Sequence, residues 1–283
     1  MKKTLLLVLF LSVCAFSQTF KYQGSIGVFD EASAISINAT GFIFVADKAT
    51  NMIYKLDTLG KALVSIGGYG WQTASFDEPV DIFSSTLDVF VSDKNNHRIQ
   101  RFDKDLNFVS QLYKREAKNQ NARFGYPLGC AVSNLGDLYV LDSENKRVIK
   151  YDMFGNFDLQ FGGFDAAKFR LTNPRKMGVA PDNRIYILND NSIFAYDNFG
   201  NGIRKMEMGY DVSNFNVIGN NILLFYGHDF ILGDLISGTT HRLKIEFPED
   251  FDFKKLVSFT MQNSKLYLLL KNEIQIYSAG QEN

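Results

Sequence analysis

One stretch of sequence is written three times in the first two-thirds of this chain. Phe42-Ile43-Phe44-Val45-Ala46-Asp47 leads to Met52-Ile53-Tyr54-Lys55-Leu56-Asp57. Leu87-Asp88-Val89-Phe90-Val91-Ser92-Asp93 leads to Asn96-His97-Arg98-Ile99-Gln100-Arg101-Phe102-Asp103. Leu138-Tyr139-Val140-Leu141-Asp142 leads to Asn145-Lys146-Arg147-Val148-Ile149-Lys150-Tyr151-Asp152. The marker residues Asp47, Asp93 and Asp142 lie 46 and 49 residues apart. A fixed period of this size, filled with short β-type runs, predicts an all-β propeller of four-stranded antiparallel blades.

The count of blades follows from length. Met1-Lys2-Lys3, the apolar run Thr4 to Val13 and the small-x-small site Ala15-Phe16-Ser17 predict a signal peptide over residues 1–17, cut before Gln18. Lipoprotein processing at Cys14 is the alternative, although Val13 stands where a small residue is expected. Either way the chain is expected to be exported, to the periplasm or outside the cell. Residues 18–283 then form a single domain of 266 residues, and six blades of about 44 residues each fit that length. Losing Lys2 and Lys3 takes the formal charge from −1 to −3, which argues against bulk electrostatic binding of nucleic acid. Beyond the leader no run approaches 18 apolar residues, so no transmembrane anchor is expected in the mature chain. The remaining cysteine, Cys130, sits in an apolar run and reads as a small core residue.

The strands can be placed by pattern. In the second unit Val80 to Ser84, Leu87 to Ser92, Arg98 to Asp103 and Phe108 to Leu112 read as strands a to d. Units five and six are worn, but Asn221 to Tyr226, Lys265 to Leu270 and Ile274 to Tyr277 still read as strands. The sixth unit ends one strand short. Phe20 to Gly27 resembles strand d of unit one, Lys61 to Gly67, so the N-terminal segment is expected to pair beside Ile274–Tyr277 and close the ring.

The run Val91 to Asp103, the glycines Gly67-Gly68-Tyr69-Gly70 and the later Phe76-x-x-Pro79 together resemble the NHL repeat. The resemblance is strongest in units two and three and covers about two-thirds of the chain. It implies a six-bladed propeller. It also implies a family whose members bind proteins, RNA or other ligands, and whose related six-bladed enzymes include amidating lyases and lactonases. A repeat motif is a fold signature and carries no function by itself.

Catalytic and metal signatures are sparse. The three histidines, His97, His228 and His241, are scattered, whereas a zinc site needs three or four converging ligands. No metal or cofactor is therefore expected, and no catalytic residue is assigned. Asp47, Asp93, Asp142 and Asn189 recur once per blade, which suits turn capping better than a shared calcium ion, with Arg98 and Arg147 as partners for the carboxylates.

Binding is expected on one rim. The b–c turns and the d–a crossovers share an end of each blade, and the longest crossovers, 67–75, 113–123 and 162–172, vary most. They hold Tyr69, Trp71, Lys114, Arg115, Lys118, Arg123, Phe164, Lys168 and Arg170. Trp71, the single tryptophan, reads either as an exposed anchor for a protein or glycan or as packing across a blade seam. The basic loop reads as part of that surface or as a solvated face. The strand a starts place Ala34, Asp81, Gly129, Lys176, Asn214 and Leu256 around the central channel, where Asp81 and Lys176 could hold a small polar ligand or simply line it. The sequence thus predicts a binding or scaffold module for a protein or glycan partner. A lyase or lactonase working at the channel mouth, and a structural part of a cell-envelope assembly, are its alternatives.

Overall fold

A computed structural model describes residues 19–209 and 211–280, so the expected signal peptide, the expected cleavage before Gln18 and the alternative site Cys14 lie outside the described residues. The chain opens with β1 (Thr19–Ile26). Blade one follows as β2 (Ala32–Ile37), β3 (Ile43–Asp47), β4 (Met52–Leu56) and β5 (Ala62–Gly67). Blade two is β6 (Pro79–Ser84), β7 (Asp88–Asp93), β8 (Arg98–Asp103) and β9 (Phe108–Tyr113). Blade three is β10 (Pro127–Val132), β11 (Leu138–Asp142), β12 (Arg147–Tyr151) and β13 (Phe157–Phe161). Blade four is β14 (Pro174–Val179), β15 (Ile185–Asn189), β16 (Ser192–Tyr196) and β17 (Gly202–Glu207). Blade five is β18 (Val212–Ile218), β19 (Asn221–Tyr226), β20 (Asp229–Asp234) and β21 (Thr240–Arg242). After the short β22 (Lys244–Glu246), blade six is β23 (Leu256–Gln262), β24 (Lys265–Leu270) and β25 (Ile274–Ala279).

Each blade is an antiparallel meander, and the innermost strands β2, β6, β10, β14, β18 and β23 touch in turn before β23 returns to β2. The six-bladed ring read from the period is therefore the observed fold. The expected closure is also found. β1 runs antiparallel to β25, with Tyr22 opposite Tyr277 and Ile26 opposite Ile274. Phe20 is buried among Phe225, Phe230, Phe259 and Tyr277, which ties the opening strand into the seam between blades five and six. The Gly280 N–H donates to the Thr19 carbonyl at 2.8 Å, so the first and last described strands meet end to end.

One strand pairing is not visible in the sequence. β22 leaves blade five after a single residue, Leu243, and lies parallel to β1, with Thr19 opposite Lys244. It caps the outer edge of blade six, whose β1 would otherwise present a row of open backbone groups.

The core lies between neighbouring blades. Apolar side chains alternate along each strand and mesh with those of the next sheet, as Phe44 and Ile53 do with Phe76, Val89 and Phe102. Every strand a carries a bulge near its start, at the same place in all six blades. That bulge fixes which residues face the channel.

Candidate functional site

The marker residues clamp the crossover rim. Asp47, Asp93, Asp142 and Asn189 end their b strands fully or almost fully buried. Each accepts a backbone N–H from the crossover that precedes its own strand a: Asp30 at 2.7 Å, Asp77 at 2.8 Å, Gly125 at 3.2 Å and Thr172 at 2.7 Å. One acceptor per blade thus joins the b–c turn to the incoming loop, the structural role expected of these residues. In blades five and six Tyr226 and Leu270 stand at the equivalent register. There the long crossover is held by an aromatic cluster instead, with Phe247, Phe251 and Phe253 at ring separations of 4.6–5.0 Å. In blade six the motif fades because packing has replaced the polar clamp.

Arg98 extends the clamp in blade two. It is 1% exposed, and its five N–H groups find five acceptors. Nε donates to Asp93 at 2.7 Å, Nη1 to the Trp71 carbonyl and the Gln111 amide oxygen, both at 2.8 Å, and Nη2 to the carbonyls of Gln72 and Ser75 at 3.1 and 2.8 Å. Asn96 adds a bond to the Gly70 carbonyl at 2.8 Å, and Gln100 one to Ser75 at 2.8 Å. The loop from Gly68 to Phe76 is therefore a rigid platform. Gly67 enters it at φ +139°, where a Cβ would lie 2.2 Å from the Asn51 carbonyl oxygen, so only glycine fits.

This platform presents aromatic side chains. The Trp71 ring sits over the Arg98 guanidinium at 4.8 Å and meets Tyr113 edge-on at 5.3 Å. It remains 48% exposed, and Tyr69 beside it is 78% exposed. Trp71 thus packs on one side against blade two alone, through Arg98 and Tyr113, and on the other side faces solvent. On the next crossovers Phe164 is 77% exposed with Arg170 over its ring at 4.4 Å, and Tyr126 projects beside His97.

The basic loop is less free than its composition implies. Arg115 pairs with Glu144 at 2.5 Å, and Arg123 donates to the Ala117 carbonyl at 2.7 Å inside its own loop. Lys118 extends into solvent. Tyr126 and Glu144 were missed by the sequence reading. The signal was present: Phe124-Gly125-Tyr126-Pro127 repeats Phe76-Asp77-Glu78-Pro79, and both residues before proline take left-handed φ, 49° and 60°.

His97 is an acceptor here. The Tyr126 N–H donates to His97 Nδ1 at 3.0 Å, and the two rings meet edge-on at 4.2 Å. Burial, then the nearby Arg115 charge, holds the imidazole below its ordinary value, against a smaller pull from Glu144. The folded chain therefore takes up this proton at lower pH than the unfolded chain. The stabilisation is fully present above about pH 6.5 and is lost as pH falls through the lower folded value. His97→Gln should flatten the pH dependence of Tm below about pH 6.5 relative to the parent chain; parallel profiles would contradict this role.

The channel is the second place where polar groups gather. A cavity of about 330 Å³ runs along the inner strands toward the a–b turns, and its wall includes Asp81, Lys176, Cys130, Ser84, Thr260 and Gln262. The register behind each bulge brings Ala34, Asp81, Gly129, Lys176, Asn214 and Ser258 to one tier. Ser258 takes the tier where Leu256 was expected: Leu256 pairs with Leu270 before the bulge, at the place that Pro79, Pro127 and Pro174 hold in blades two to four, and the worn sixth unit has no proline there to mark it. Asp81 and Lys176 are the third residues of β6 and β14 and so line the part of the cavity nearer the crossover end of these strands. The Asp81 carboxylate accepts the Cys130 N–H at 3.2 Å, and burial pushes it above its ordinary value despite the pull of Lys176. Burial, then the Asp81 charge, pushes the Cys130 thiol up, so it stays protonated. Among the described residues no three His, Cys, Asp or Glu side chains converge as a metal site.

With this geometry in view, residues 124–151, which run from the crossover into β12, match the family model described as NHL repeat. The match takes in three of the four strands of blade three. The protein brain tumor of Drosophila melanogaster is 31% identical over 144 residues, which is 49% of this chain and 13% of that much longer protein. Virginiamycin B lyase from Staphylococcus aureus superposes with a TM-score of 0.61 at 14% identity, covering 92% of this chain and 99% of the lyase. Its catalytically inactive variant with quinupristin gives 0.65 at 12% identity over the same shares. A streptogramin B lyase gives 0.58 at 10% identity, covering 91% and 97%. At these identities the likeness is one of fold. Among the described residues no helix is long and apolar enough to cross a membrane.

Proposed function

We propose that this NHL-repeat propeller is an exported recognition module that binds a protein partner through its crossover rim. The observation that carries the reading is the Arg98-pinned platform of Gly68–Phe76, which holds Trp71 and Tyr69 half and largely exposed on a loop with little freedom left to lose. Rigid aromatic anchors backed by arginine are the residues that dominate protein interfaces, and a preformed loop lowers the ordering cost of association. Arg115, Lys118 and Arg123 flank this platform as a polar rim. The NHL-repeat match over residues 124–151 is consistent with the reading and names no partner.

The test is a Trp71→Ala chain expressed with its leader, so that the mass of the secreted product also reports whether it starts at Gln18. Partner affinity is expected to fall by about 2 kcal/mol, roughly thirtyfold, with Tm unchanged. A lowered Tm with unchanged affinity would make Trp71 a packing residue and sink the reading. Binding to a glycan array in place of a protein would reassign the rim.

A lyase is the second reading, favoured by the fold of the structural neighbours. In this chain the ionisable side chains that line the channel are Asp81, Lys176 and the protonated Cys130, while His97 and His228 sit on b–c turns. Turnover of virginiamycin B or quinupristin by the purified chain would support this reading over recognition.

A further inference from the structure

We infer that the central channel is a binding site for a small zwitterion of the α-amino acid class, held between Asp81 and Lys176. This site is separate from the aromatic rim and stands or falls independently of it. Asp81 comes from blade two, Lys176 from blade four and Ser258 from blade six, so alternate blades supply an anion, a cation and a hydroxyl to one tier. The blades between them contribute Ala34, Gly129 and Asn214 at the same register. Asn214 is already committed to the Val257 carbonyl at 2.8 Å.

The two charges are built in and left apart. Gly129 gives Asp81 its room: a Cβ there would lie 3.0 Å from Asp81 Oδ2. The carboxylate is anchored to the Cys130 N–H, and Lys176 reaches toward blade six, where its Nζ lies 3.4 Å from Ser258 Oγ. Asp81 senses the charge of Lys176, yet the fourteen ion pairs among the described residues do not include Asp81 with Lys176. Opposite charges taken out of bulk water without a direct contact are costly, and the cost falls when a ligand supplies the missing partners. A molecule with a single charge satisfies one wall and leaves the other. A zwitterion satisfies both, through two charge-assisted hydrogen bonds of about 2.8 Å with its own backbone spanning the gap. The net charge of the pair is zero, which matches a net-neutral ligand.

Size and wall chemistry agree. A cavity of about 330 Å³ is at the small end of the range for small-molecule sites. Below the charged tier the wall mixes Ile37, Val179 and Met261 with Ser84, Thr260 and Gln262, which suits a short side chain of either polarity.

The experiment is calorimetric titration of the purified chain with glycine, L-alanine and L-serine, set against acetate, ethylamine and glucose, repeated with Asp81→Asn and Lys176→Met. Both variants are expected to fold, because each removes a half-buried charge. The expected result is saturable binding of at least one amino acid, at least tenfold tighter than acetate or ethylamine, and lost at least tenfold in both variants. Binding of glucose instead, equal binding to parent and variants, or no binding of any amino acid by a folded parent chain would each overturn the inference.

Discussion

Arg98→Ala is expected to lower stability by about 3–5 kcal/mol, a large share of what holds a domain together. The size follows from what remains behind. Asp93 is fully buried, and burial already pushes its carboxyl above the ordinary value; without the guanidinium it is left either charged and unpaired or protonated, and both states are costly. The carbonyls of Trp71, Gln72 and Ser75 and the Gln111 amide oxygen would lose their donors together. Arg98→Lys should recover little, because one ammonium on a flexible stem does not reproduce a planar fork that serves five acceptors. Denaturant titration reads this as a fall in midpoint at constant slope. A loss under about 1 kcal/mol would mean that the hub is dispensable and that the Gly68–Phe76 platform is held by other contacts. The variant should also loosen Trp71, so partner affinity and stability fall together here, in contrast to Trp71→Ala.

Removing β1 is expected to be still more damaging. A chain beginning at Gly27 loses the strand that completes blade six, leaves β25 and β22 without their shared neighbour, and uncovers the pocket that Phe20 fills. Phe20→Ala alone should cost about 3–5 kcal/mol, the usual penalty for deleting a buried phenylalanine. The truncated chain should therefore fail to melt cooperatively. A synthetic peptide covering residues 19–26 should restore a cooperative transition by adding as a strand between the two open edges. If the truncated chain melts at the parent temperature, ring closure through this strand contributes nothing and the assignment is wrong.

Much of the architecture was legible because a repeat states the same packing problem several times. Strand b of the second, fifth and sixth units and the closing strand fall where pattern placed them, since alternating β-branched and aromatic residues have one buried face. Legibility failed where the markers are worn or missing. In the sixth unit Leu256 stands where Pro79, Pro127 and Pro174 open strand a, and without that proline the channel position was set two residues early, at Leu256 in place of Ser258. β22 was missed because three residues, Lys244 to Glu246, carry no periodic signal; their parallel pairing is set by where blade five ends. On the rim, loop length and composition pointed to Tyr69 and Trp71 but left Trp71 open between solvent and a blade seam; only the fold shows it half exposed, with Arg98 and Tyr113 behind it. It overstated the free charge of Arg115 and Arg123, whose partners, Glu144 and the Ala117 carbonyl, are brought to them only by the folded loop. Arg98 could be read as a partner for Asp93, whereas its three loop carbonyls depend on tertiary geometry that a linear pattern does not encode.

The pairing of β1 with β25 has a consequence for how such a chain is made. Its first described strand leaves the ribosome long before its last, so blade six has nothing to add to until synthesis is nearly done. Joining segments this far apart in sequence is among the slowest steps a small β fold can require. Blades one to four can gather their local meanders while the tail is still growing, and the final click of the circle comes late. A polypeptide that stays open until its end emerges is well suited to being threaded through a narrow translocation pore before it locks.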